Sequence, residues 1–60
     1  MENVRIGDTV YLNNQKDSVP FQVVGYTELD HIVRVAQVKD NGGLYSSKAI
    51  DISLIKNVRR

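Results

Sequence analysis

Apolar residues recur at every second position over much of the chain, in short runs separated by polar or glycine-bearing breaks. In "DTVYL", Val10 and Leu12 alternate with Thr9 and Tyr11, which predicts a first strand over 8–12 with Tyr11 facing outward. Six polar residues, Asn13 to Ser18, then read as a solvated loop, because a connection's backbone groups need water. Pro20 has no N–H to give a ladder, so it opens a second strand over 21–27, with Phe21 in the core. Gly25 inside that strand predicts a bulge or a sharp bend. Glu28-Leu29-Asp30 turns the chain into a third strand over 31–39. There Arg34 points out and Val33 and Val35 point in. Ala36 and Val38 fall out of phase, which predicts a bulge near Ala36 or a covered outer face. Asp40-Asn41-Gly42-Gly43 predicts a two- or four-residue hairpin loop with Val38 opposite Tyr45, since Asn-Gly supplies the positive φ of a tight hairpin turn.

The run "LYSSKAIDISLIKN" reads two ways. As a helix it would align Ile50, Leu54 and Val58, but Ile52 would lie opposite them. No capping box starts it and no glycine stops it. As a strand, Ile50, Ile52 and Leu54 alternate with Asp51 and Ser53. The pattern predicts a fourth strand ending near Ser47, a single 3₁₀ turn over 48–51 and a fifth strand over 52–58. That plan is an all-β, five-stranded SH3-like barrel with a 3₁₀ turn before the last strand, one domain over 1–60.

Composition strengthens the β reading: nine valines and five isoleucines stand against two alanines. β-branched side chains lose rotamer freedom in helices and pack well on pleated surfaces. Sixty residues bury only about 60% of the surface the unfolded chain exposes, so such a core wants reinforcement. With no cysteine and one histidine, disulfides and thiolate or histidine-rich zinc sites are excluded. An efficient core or self-association remains. No apolar run approaches a membrane span or a signal-peptide core, so a cytoplasmic protein is the expectation. A net charge of +1 argues neither for nor against nucleic acid.

The residues that could carry chemistry are few. His31 has no nucleophile supplied by any motif and reads as an exposed turn residue. Ser18, Ser46, Ser47 and Ser53 lack a nucleophile-elbow context, and the carboxylates are scattered apart from Glu28 and Asp30. Gly42-Gly43 serves a hairpin and precedes no helix, so it is not a phosphate loop. No catalytic residue, cofactor or metal is therefore expected.

Binding is what remains. Tyr11, Tyr26 and Tyr45 are the candidate binding aromatics, Arg34, Lys39 and Lys48 could share one side, and Arg59-Arg60 adds a small basic end. Tyrosines and basic residues together suit either a protein partner or nucleic acid. Val24, Ala36 and Val38, on the off-core face, form a candidate sticky patch. A protein partner or homo-oligomer is the first expectation and nucleic acid the second.

"IGDTVYL", the polar loop, "FQVVGY", the Asn-Gly hairpin and "AIDISLIKNV" together resemble the SH3-like barrels of short bacterial, phage and plasmid proteins. The resemblance covers nearly the whole chain and implies the fold, but a fold this widely used implies no function. "GDTV" and "QVVGY" also resemble the plasmid-borne type II dihydrofolate reductases, tetramers whose pore is lined by a Val-Gln-Ile-Tyr segment and a lysine. Here the corresponding segment is Leu44-Tyr45-Ser46-Ser47, which lacks that motif, so no site residue carries over.

Overall fold

Alternating β-branched residues build five antiparallel strands in a single sheet: β1 (Thr9–Leu12), β2 (Phe21–Tyr26), β3 (Ile32–Val38), β4 (Leu44–Asp51) and β5 (Ile55–Arg59). The computed structural model describes residues 4–13, 15–16 and 19–59. Asn14, Asp17 and Ser18 of the polar connection, and Arg60, lie outside the described residues. The strand order is β4-β3-β2-β1-β5, with a 3₁₀ turn, Ile52–Leu54, joining the two edge strands. No helix among the described residues is long and apolar enough to cross a membrane.

Facing residues in an antiparallel pair share one side of the sheet. The pairs Val10–Phe21, Val23–Val35 and Val33–Ile50 therefore put their side chains on the same face. They form one core with Leu12 and Val4, against which Val19, Ile52, Ile55 and Val58 pack. The expected inward Val33 and Val35, outward Arg34 and buried Phe21 are all found.

The corner near the C-terminus lies four residues beyond the predicted one. Lys48 and Ala49 stay in the ladder opposite Val35 and Arg34, and β4 continues to Asp51. The reason is local: Asp51 is the N-cap of the 3₁₀ turn, and its carboxylate accepts the Ser53 amide at 2.9 Å. A short acidic side chain two residues before an otherwise orphaned N–H is what starts such a turn. Two backbone bonds then hold the corner, from the Ile52 amide to the His31 carbonyl and from the Asn13 amide to the Leu54 carbonyl, both 2.8 Å. The corner thus ties the start of β3 to the end of β1. No ladder joins β4 to β5 among the described residues, so the sheet has two edges and is not closed by pairing.

The β3–β4 hairpin also departs from expectation. Val38 pairs with Leu44, not Tyr45. The Gly42 amide donates to the Lys39 carbonyl at 3.0 Å, and the Lys39 amide to the Gly43 carbonyl at 2.7 Å. Only Gly42 has positive φ in this loop, at 89°, while Asn41 does not. This is a three-residue loop in which the glycine takes the left-handed position after an ordinary turn. The Asn41 carboxamide oxygen accepts the Gly43 amide at 2.9 Å, the job that replaces left-handed backbone at Asn41.

Bulges sit where phase fails. Between Val23 and Gly25 the β2–β3 register shifts, making Val24 the extra residue, as Gly25 foretold. A second shift lies between Ala36 and Val38. At the other end, Arg5 to Asp8 form a turn with Gly7 at φ 99°, closed by the Asp8 amide on the Arg5 carbonyl at 3.0 Å. The buried Asp8 carboxylate accepts the Arg5 amide at 2.9 Å, so "GD" is a structural pair that fixes the lead-in to β1.

Candidate functional site

Edge strand β4 is exposed at every position over residues 44–49. On one side it pairs with β3, and among the described residues nothing pairs with its other edge. A row of unpaired N–H and C=O groups on a long edge strand is a template for another strand. Its first two residues, Leu44 and Tyr45, are 39% and 54% exposed. At the hairpin the Lys39 ammonium lies 5.1 Å from the centroid of the Tyr45 ring, holding the tyrosine beside the strand.

The basic residues expected on one side are divided by the sheet. Lys48 faces Val35 and is on the core side, where its ammonium lies 5.3 Å over the Phe21 ring. Arg34 faces Gly25 and Ala49 on the other side and donates to the Ser47 hydroxyl at 3.1 Å. Strand alternation forces this, because 34 pairs with 49 and 35 with 48. Lys39 sits apart, at the loop.

The tyrosines are also separated. Tyr26 pairs with Val33 on the core side, beyond the bulge that reset its phase. It is exposed at the sheet end, and its hydroxyl donates to the Val4 carbonyl at 3.2 Å. Tyr11 faces outward as expected, opposite Asn57 of β5. With Asn57, Val58 and Arg59 it lines an open groove of about 380 Å³. Sequence reasoning missed Asn57, because only the β1–β5 register brings it to Tyr11, across 46 positions of chain.

The proposed patch of Val24, Ala36 and Val38 is not an exposed face. Ala36 is buried, between Gln22 and Ser47 in the sheet, and Val24 and Val38 are half-buried. Ala36 keeps the alternation of β3, stays outside the core cluster and is flanked in the ladder by Gln22 and Ser47 on the off-core face.

Titratable groups offer little chemistry. His31 is exposed in the turn before β3. The Asp51 carboxyl is held below its ordinary value, first by the Ser53 amide and then by the Ser53 hydroxyl, with desolvation opposing them and the nearby His31 adding least. Among the described residues, no three histidine, cysteine or acidic side chains gather as a metal group would. Geometry thus defines an all-β single-sheet protein with an open strand edge and a separate outer groove. Compared with protein-family models, curated proteins and solved structures, the chain matches none.

Proposed function

We propose that the protein is a small non-catalytic binding module of SH3-like barrel plan that acts by self-association, strand β4 of one copy adding to β4 of another. The carrying observation is the eight-residue edge strand with six consecutive exposed positions and, among the described residues, no pairing on its free side. The strand order and the 3₁₀ joint between the edge strands support the barrel plan. The size of the core supports the choice of a second copy. Eight buried side chains, five of them valine, form its centre, in a chain too short for comfort and without disulfides to reinforce it. Covering an edge adds backbone hydrogen bonds and shields Leu44 and Tyr45. A chain free of cysteine also suits the reducing cytoplasm, where thiols bring no stabilising cross-link.

Sedimentation velocity from micromolar to millimolar protein tests the reading. A dimer is expected, with β4 amides gaining protection from hydrogen exchange as concentration rises. The double substitution Leu44→Lys and Tyr45→Lys should give monomer without unfolding, since both side chains are exposed. A wild-type protein that stays monomeric at millimolar concentration overturns self-association.

A further inference from the structure

We propose that the groove between β1 and β5 is a binding site for single-stranded nucleic acid, distinct from the β4 edge. Three observations meet there. The groove, about 380 Å³, is lined by Tyr11, Asn57, Val58 and Arg59, so an aromatic, an amide-bearing and a cationic residue meet there beside one valine. The register explains their convergence: Tyr11 faces Asn57 and Thr9 faces Arg59, so all four residues stand on the outer face of the β1–β5 pair. Charge is the third observation. After Asp51 the chain carries no acid and three cations, Lys56, Arg59 and Arg60, although its net charge is only +1. The segment after Asp51 is therefore locally basic in sequence, and of its cations Arg59 stands at the groove.

The chemistry of these walls selects a ligand with a planar face and an anion beside it. A ring such as Tyr11 stacks a base whatever its identity, and a guanidinium takes a phosphate. The Asn57 carboxamide can both donate to and accept from a base edge. An open groove along an edge strand fits a passing strand better than an isolated nucleotide. A duplex presents its bases stacked and paired, with no free face for Tyr11. Neither Arg34 nor Lys48 lines this groove, because β3 and β4 are separated from the β1–β5 pair by β2.

Fluorescence anisotropy with a labelled deoxythymidine oligonucleotide, over a salt series, tests the site with the intact chain. Wild-type protein should bind at low salt and weaken linearly in log–log terms as salt rises. Tyr11→Leu should weaken binding about tenfold, while Tyr11→Phe, which keeps the ring, retains it. Arg59→Gln should reduce the salt slope by about 0.7, the value of one lost phosphate contact to a single strand. Asn57→Asp introduces a carboxylate at an exposed position, away from the core, and should also weaken binding. Lys39→Gln, at the distant hairpin, should change nothing beyond the small loss of net charge. Circular dichroism confirms that each variant is folded, and Asn57→Asp and Arg59→Gln carry the test if Tyr11→Leu is not. No binding at low salt overturns the proposal, and so does binding that ignores the Tyr11, Asn57 and Arg59 substitutions. Equal binding of thymidine monophosphate, of duplex DNA or of an acidic peptide overturns the single-strand assignment.

Discussion

The ammonium of Lys48 lies 5.3 Å over the ring of Phe21, so a charged residue of the open edge strand covers a buried aromatic of β2. One side chain thereby serves both the core and the edge. An inward-pointing lysine is a recognised way to discourage an edge strand from pairing indiscriminately. In antiparallel self-pairing, the register that sets Lys48 against Lys48 is penalised by like charges, which narrows the alignments two copies can adopt.

Replacing Lys48 by alanine should therefore have two opposite effects. Losing the cation–π contact should cost about 0.5–1 kcal/mol, or several degrees in melting temperature for a domain of this size. Removing the charge should at the same time tighten self-association. Thermal denaturation at low concentration reads the first effect and sedimentation at high concentration the second.

The corner predicts a pH dependence. The Asp51 carboxyl is stabilised as the anion by the Ser53 amide and hydroxyl, so its pKa in the folded protein lies below the ordinary 3.8. Its contribution is present above the unfolded-state pKa and lost as pH falls through the folded one. Asp51→Asn keeps an oxygen acceptor for the turn but cannot titrate. Its stability should fall less steeply than that of the wild type when acid titration passes below pH 3.8, as followed by circular dichroism.

The core should tolerate little. Leu12 is 1% exposed, and a buried leucine cut to alanine costs about 2–5 kcal/mol. In a domain with marginal stability that change should leave much of the protein unfolded at room temperature. Leu29→Ser, at a residue more than half exposed in the β2–β3 turn, should shift stability by less than about 0.5 kcal/mol. Urea unfolding separates the two.

The glycines should differ among themselves. Gly42 at φ 89° should lose about 1–2 kcal/mol on conversion to alanine, because a Cβ there meets its own backbone. Gly25 sits in the bulge, outside the left-handed region. A Cβ on it would meet the Arg34 side chain at 3.9 Å, an ordinary contact. Gly25→Ala should be within about 0.5 kcal/mol of wild type. Equal losses at both positions in urea titrations would contradict the backbone argument.

Much of the strand plan was legible in the chain, and the errors fall at identifiable places. Alternation located β1, β2 and β3 to within two residues and gave the faces of Val33, Arg34 and Val35. It failed at 44–55, because Ile50, Ile52 and Leu54 keep their period straight through the corner. Only the Asp51–Ser53 bond marks where the strand ends. Asn41-Gly42 announced a turn but not its length, since the same pair serves two kinds of loop with different φ at Asn41. The binding candidates fared differently. Tyr11 was placed on the outer face, where it is half-buried, and Tyr26 at the surface, as found. Tyr45, by contrast, was set opposite Val38, and Arg34 and Lys48 were separated by a register that no local pattern encodes.

The sequence by itself determined an all-β chain with a valine-rich core, a bulge at Gly25, a hairpin after β3 and no cysteine for thiol chemistry. Those properties follow from side-chain shape, period and composition, which act locally. Only the tertiary structure decided which side chains became neighbours. It put Asn57 and Arg59 beside Tyr11, buried Asp8 at the lead-in turn, buried Ala36 in the sheet and, among the described residues, left β4 unpaired along one edge. Each of these depends on pairing between residues far apart in the chain. Cross-strand register, unlike alternation, is fixed by the whole sheet at once.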